Sequence, residues 1–265
     1  MSLFEDNSRD ALIEISNTVH EVGYKSLLLV YDSFLDNAVV TVANTINKEH
    51  TFKYIIAVRT YSLSPEYLAT IYETFEKIAP GRVTFNVIPG NIKFQETSLR
   101  DVVFIEDRIQ TIEQRDQYTL EWLKKYNVLS LRKKLPPLML SGHSIDFQKA
   151  CIEYGITNIM QLSDYLDQYN NGLLKNKNQM VSVAILNDNL IGKNNTYLNK
   201  VLESHKDTTI SGNSDFIYKE ILKLKEKEVS DILIHQLPSS HPSSEIHNII
   251  KDIVKLTRPF LEEMI

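Results

Sequence analysis

The chain has 265 residues, 43% of them hydrophobic and 24% charged, which is an ordinary globular composition and enough for one large domain. The net charge of −5 gives no electrostatic footprint for a nucleic-acid backbone. One cysteine excludes an internal disulfide, and seven scattered histidines without HxxxH or CxxC spacing give no metal signature.

No apolar run is long enough to span a membrane, and the N-terminus lacks a basic-then-apolar pattern. A soluble, cytoplasmic protein with no metal, membrane or nucleic-acid partner is therefore expected. Lys124–Lys125, the Arg132–Lys134 run and the lysines of 219–227 sit among acids and read as solvated helix faces. Cys151, in FQKACIEYG, reads as a buried structural thiol rather than a nucleophile.

In chain order, the apolar period switches repeatedly between helix and strand. ALIEISNTVHEVGY (11–24) puts Leu12, Ile15, Val19 and Val22 on one face and stops at Gly23. KSLLLVYD is a continuous apolar run, as in a strand buried on both faces. Asp36 can cap the next helix, LDNAVVTVANTI, which leads to the buried strand FKYIIAVR. Ser64, Pro65 and Glu66 give cap, first-turn proline and first-turn acid, and Pro80-Gly81 ends that helix before the strand RVTFNVI. A short β-prone VVFI follows at 102–105, then a helix over about 107–126, a basic loop and Pro136-Pro137.

PLMLSG, TNIMQL, MVSVAIL and DILIHQL are the remaining strands. SIDFQKACIEYG is a helix, YLDQYNNGLL a weak one, and 210–221 a loop leading into a helix with Ser214 as cap. Seven strands in βαβα order predict a parallel sheet with right-handed crossovers, either a (β/α)₈ TIM barrel or an open doubly wound sheet. The open form lacks a GxGxxG after its first strand. No linker divides residues 1–265, so a single barrel domain is expected. The first barrel strand comes from the stub SLFE or from VVFI, or the barrel is incomplete.

Barrel chemistry collects at the C-terminal strand ends. Here those ends are Tyr31–Ser33, Arg59–Tyr61, Asn86, Ser141–Ser144, Gln161, Asn187 and His235-Gln236. Ser141-Gly142-His143-Ser144 joins a strand to a helix. It is either an anion cradle of helix-start amides or an ordinary Ser144 cap with a glycine-relieved turn. His143 and His235 are the histidines at this end, able to move a proton near neutral pH or simply to bond a loop carbonyl.

Five segments then carry a resemblance. YIIAVRTYSLSPEYLATIYETFEKIAPGRVTFNVIPG holds Ala57, Val58, Arg59, Ser64, Pro65, Ala69, Gly81, Arg82, Asn86, Val87 and Gly90 in the pattern A-(L/V)-R…SP…A…GR…NVV-G. GYKSLLLVYDS, RDQYTLEWL (Arg115, Glu121, Trp122 and Leu123), PPLMLSGHSIDFQKAC and ISGNSDFIYKEILKLKEKEVSDILI match further motifs in the right order. Together they resemble the bacterial luciferase-like flavin monooxygenases, the alkanesulfonate monooxygenase branch most of all.

The resemblance implies a (β/α)₈ barrel that binds reduced FMN, or a deazaflavin as in some branches. It implies Ser141, Gly142, His143 and Ser144 as phosphate contacts, Asn86 beside the flavin and Arg59 at the barrel mouth. A flavin-dependent monooxygenase acting with O₂ on a small organic substrate, fed by a flavin reductase and dimeric, is the expected function. His143 or His235 would be its proton donor.

Four departures from the family pattern open alternatives. Asp116 replaces a tyrosine, Ser182–Ala184 replace an R-x-H run, the loop after MVSVAIL is short, and the usual N-terminal strand is short or absent. A flavin-binding barrel without catalysis is the second reading, and a flavin-free barrel taking a phosphorylated metabolite the third.

Overall fold

The computed structural model describes residues 2–3, 9–21, 23–29, 37–46, 52–90, 109, 111–174, 178–187, 206–227 and 229–236. The strands are β1 (Ser2–Leu3), β2 (Ser26–Leu29), β3 (Lys53–Arg59), β4 (Val83–Ile88), β5 (Met139–Ser141), β6 (Thr157–Gln161), β7 (Gln179–Asn187), β8 (Thr209–Gly212) and β9 (Asp231–Gln236). The helices are α1 (Arg9–Glu21), α2 (Ala38–Thr45), α3 (Pro65–Ile78), α4 (Ile112–Lys133), α5 (Ile145–Tyr154), α6 (Leu162–Asn170) and α7 (Ser214–Glu226).

The strands pair in parallel and in order from β1 to β8, with β9 also paired to β7. β9 contacts β1, so the sheet returns on itself as a (β/α)₈ barrel whose wall is β1 to β7 and β9. The first strand is the Ser2–Leu3 stub, in register with Leu28 and Leu29. VVFI at 102–105 lies outside the described residues.

β8 goes beyond the sequence expectation. It is only TISG, four residues without an apolar run, and what defines it is its pairing with Ala184–Asn187 of β7. β9 occupies one edge of β7 along Met180–Ile185. β6, which pairs along Gln179–Ser182, and β8 therefore share the opposite edge end to end.

Strand alternation separates two cores, as a pleat of period two requires. Leu27 and Leu29, Tyr54, Ile56 and Val58, and Val83, Phe85 and Val87 face the helices. Leu28, Ile55, Ala57, Ile159, Met180 and Leu233 fill the barrel interior, joined by Ile88 and Met139. Phe85 is fully buried and meets Tyr72 edge-on with ring centroids 5.1 Å apart. Burying such a side chain contributes about 1.5–3 kcal/mol.

Local signals set the helix ends. Ser64 accepts from the Tyr67 amide at 3.2 Å, and Pro65 opens α3. Thr111 and Gln114 form a reciprocal capping box at the start of α4. Asn37, rather than Asp36, caps α2 by accepting from the amides of Val39 and Val40. Asn213, one residue before Ser214, accepts from the Phe216 amide.

The Arg132–Lys134 run is not a loop after the helix but the last turn and C-cap of α4 itself, in keeping with its reading as a helix face. Arg132 and Lys133 sit where the helix dipole favours cations, and Lys134 ends the helix in the left-handed region at φ 55°. Trp122 of α4 donates its indole N–H to the Leu63 carbonyl at 2.8 Å, tying α4 to the β3–α3 loop.

Cys151 is buried on α5, and burial pushes its thiol pKa up to about 12. Only about one thiol in ten thousand is then ionised at pH 8. Native protein is therefore expected to resist a thiol-specific colorimetric reagent at pH 8 and to react stoichiometrically once denatured. Rapid reaction of the native thiol would contradict this burial.

Candidate functional site

The sequence-identified residues of β4 and β5 come together at the C-terminal ends of those strands. Phe85 and Val87 face the helices, so Asn86 lies on the barrel side, as Ile88 does. Asn86 is buried between its register partners, Ala57 on β3 and Met139 on β5. Its Nδ2 donates to Ser141 Oγ at 2.9 Å, and the Ser141 hydroxyl in turn donates to Asn86 Oδ1 at 3.1 Å. The pair satisfies itself in a largely apolar interior, where an unbonded carboxamide would cost about 1–3 kcal/mol.

Beyond Ser141 the chain turns through Gly142 and His143 to Ser144, the N-cap of α5. The Ser144 hydroxyl oxygen accepts from the Phe147 amide at 3.3 Å. Gly142 has φ +155°, and a Cβ there would overlap the Phe147 ring. That ring is 1% exposed and packed in the helix-side core, so it has nowhere to move. The two readings of this loop are compatible. A lone pair of Ser144 caps the helix, while its hydroxyl proton and the other first-turn amides of α5 can serve a ligand, since such amides have no intrahelical partner.

The loop is held from behind. The Gly142 amide donates to the Ile159 carbonyl at 3.0 Å. Asn158 Nδ2 donates to the carbonyls of Leu140 at 3.0 Å and Gly142 at 2.9 Å. The His143 carbonyl accepts from Gln168 Nε2, and Gln168 Oε1 accepts from Gln148 Nε2. The His143 ring is largely exposed, with Nδ1 3.3 Å from an Asp164 carboxylate oxygen on α6. No local pattern singles out Asn158, Gln148 or Gln168. They lie inside regular elements, and only the packing of α5 and α6 on the sheet brings them to the loop.

Arg59 ends β3 on the barrel side, in phase with Ile55 and Ala57. Its guanidinium donates to the Tyr61 hydroxyl, and the Tyr61 ring packs under Gly90, where a Cβ would meet it at 2.9 Å. Arg115 donates to the Gly90 carbonyl at 2.9 Å and pairs with Asp116 at 2.7 Å. The acid that replaces the expected tyrosine is thus compensated by its own neighbour.

On β7, Met180 faces the barrel while Val181 and Val183 face the helices, which puts Ser182 and Ala184 on the barrel side. Neither carries charge. His235 lies in β9 opposite Ala184, and its side chain is outside the described residues, as are Tyr31–Ser33 and the Asn187 side chain. Gln161 is exposed and leads directly into α6. Among the described residues no group of three His, Cys, Asp or Glu side chains could hold a metal ion, and no helix is long and apolar enough to cross a membrane.

No protein-family model matches the sequence. Solved structures nevertheless share the fold over nearly all of it. Riboflavin lyase, solved with modified FMN and substrate riboflavin, aligns with a TM-score of 0.63 at 10% identity, over 99% of this chain and 91% of that one. Coenzyme F420-dependent tetrahydromethanopterin reductase from Methanopyrus kandleri gives 0.62 at 11% identity, over 97% and 96%. EDTA monooxygenase from Chelativorans sp. BNC1 gives 0.61 at 11% identity, over 97% and 87%. The chain therefore has the luciferase-like barrel fold that its motifs resemble.

Gly142→Ala is expected to destabilise the protein by about 2–4 kcal/mol, from overpacking against Phe147 and a backbone angle unfavourable to alanine. Combining it with Phe147→Ala should return about 1 kcal/mol or more in a double-mutant cycle read by denaturant unfolding. Strict additivity would show that the ring does not impose the glycine.

Proposed function

We propose that the chain is a luciferase-like flavin-dependent oxidoreductase that holds a phosphate-bearing flavin, FMN or a deazaflavin, at the mouth of its barrel. The observation that carries this reading is the Ser141–Ser144 loop. It lies at the C-terminal end of a barrel strand, presents helix-start amides, and is kept open by a glycine that admits no Cβ. The fold-sharing enzymes add support, since one is coenzyme F420-dependent and another was solved with a modified FMN.

The residues present fit such a group. Ser141, Gly142, His143 and Ser144 would take the phosphate, with the amides and the α5 dipole favouring its charge. The nearby acids have cationic or proton-carrying partners of their own, because Asp146 pairs with Lys149 at 2.7 Å and Asp164 with the His143 ring. Asn86 and Ser141 would present hydrogen-bonding groups to the flavin, and the guanidinium of Arg59 would favour negative charge at the mouth. When bound and reduced, FMN would supply the two electrons with which O₂ gives one oxygen atom to a small organic substrate and the other to water, whereas a deazaflavin would exchange a hydride with its substrate without O₂. The apolar barrel interior below the site keeps water out. His143, beside Asp164, is the proton-carrying group at this loop, and His235 is the second candidate. Reduced flavin would come from a separate reductase, and a homodimer is the expected assembly.

A second reading, a flavin-binding barrel without oxygenase activity, is favoured by the uncharged Ser182 and Ala184 on the barrel face of β7.

Titrating purified protein with FMN and with a deazaflavin is expected to perturb the absorbance and quench the fluorescence of one of them. No response to either would sink both flavin readings. Oxygen uptake with NADH, a flavin reductase and a panel of small sulfonates, sulfides and amines then separates the two. If FMN is the flavin bound, substrate-dependent uptake establishes the oxidoreductase; if a deazaflavin is bound, substrate-dependent change in its absorbance does so, and tight binding with neither response supports the inert barrel.

A further inference from the structure

We infer that Asn158 and Gln168 are positioning residues that orient the Gly142–Ser144 backbone for an anion, with Gln148 setting the orientation of Gln168. This rests on the phosphate-binding reading of the loop and says what makes the loop competent.

A trans peptide is planar, with its C=O and N–H pointing in opposite directions. Fixing the carbonyl of one residue therefore fixes the amide of the next on the other side. Asn158 Nδ2 takes the Gly142 carbonyl at 2.9 Å, so the His143 N–H points away from Asn158. Gln168 Nε2 takes the His143 carbonyl, so the Ser144 N–H points away from Gln168. Both side chains belong to buried residues, at 0% and 7% exposure. Each of these two amides, at the start of α5, is thereby turned away from the carboxamide that holds the carbonyl before it. Without these bonds either carbonyl could rotate to the outer side, where its oxygen would repel an anion.

The carboxamide orientations are determined. A carbonyl only accepts, so Asn158 must present Nδ2 to its two carbonyls, since the reverse orientation would set oxygen against oxygen. This leaves Asn158 Oδ1 buried with no donor among the described residues. Gln168 is fixed from its other end. Gln148 Nε2 donates to Gln168 Oε1, which commits the Gln168 amino group to His143, and Gln148 Oε1 is likewise left without a donor among the described residues. The bonding N–H groups of the set all lead towards the loop, and the unpaired atoms are oxygens. Maximising hydrogen bonds would not leave that bias, whereas holding two carbonyls back does.

The test compares FMN with riboflavin, which differs by the phosphate alone, in the wild type and in Asn158→Asp, Gln168→Glu and Gln148→Met. The two acidic variants keep shape and replace a donor by an acceptor. The Gln148 variant removes the bond that orients Gln168 and covers the case in which an acidic variant does not fold. Wild type should bind FMN more tightly than riboflavin, and each folded variant should lose about tenfold of that preference while its riboflavin affinity changes less than about twofold. A merely structural role would weaken both flavins together or lower the melting temperature alone, and either result overturns the inference, as does equal affinity of wild type for the two flavins. If wild type binds no flavin, inorganic phosphate followed at the His143 and Ser144 amides by NMR decides separately. A phosphate response that the variants lose keeps the positioning role while the flavin reading falls, and no response in wild type overturns both.

Discussion

Strands of a closed parallel barrel are buried on both sides, and that constraint governs where this protein can place polar chemistry. Leu28, Ile55, Ala57 and Leu233 fill the inside, while Leu27, Ile56, Phe85 and Val181 meet the helices. A polar side chain in mid-strand would have to bring its own partner. Asn86, two residues before the end of β4, does so with Ser141, the last residue of β5. From there outward the chain is released from the apolar requirement, and Arg59, Gly142, His143 and Ser144 all lie in that zone. The site is located by where burial stops.

The same constraint decides what can be read from one sequence. Strands such as FKYIIAVR are legible because burial on both faces writes a continuous apolar run. Caps such as Ser64 and Ser144 are legible because a helix start is a local event. β8 is not, since TISG becomes a strand only by joining part of one edge of β7. The end of α4 is legible only in part, because its basic residues read as a helix face and also as a loop, although they are what favours a helix C-terminus. The SGHS loop shows in the sequence, but its support does not. Asn158, Gln148 and Gln168 stand on three different elements, β6, α5 and α6, and their role exists only in the packed structure.

Energetics favour reading that support as more than packing. A buried unpaired oxygen costs about 1–3 kcal/mol, comparable to what one good hydrogen bond returns. Asn158 and Gln148 each leave one such atom without a partner among the described residues. A leucine or methionine of similar volume would avoid that cost wherever packing alone mattered. Polar groups kept in the core at a cost to stability are best explained by what they hold in place, here two carbonyls of the strand-to-helix turn.

Binding and turnover are separable in such an architecture, because they draw on different strands. The candidate anion cradle is assembled from β5, α5 and the carboxamides behind them, and these parts fix one another. The proton and charge chemistry that the resemblance assigns to β7 would need a titratable side chain at Ser182 or Ala184, and the sheet pairs through those positions without one. Losing a charged group from the barrel wall removes a desolvation cost, so stability gives no resistance to that change. Losing Gly142 or Asn158 would disturb the core directly. A barrel of this kind can therefore lose charged side chains from its wall while the candidate anion cradle persists.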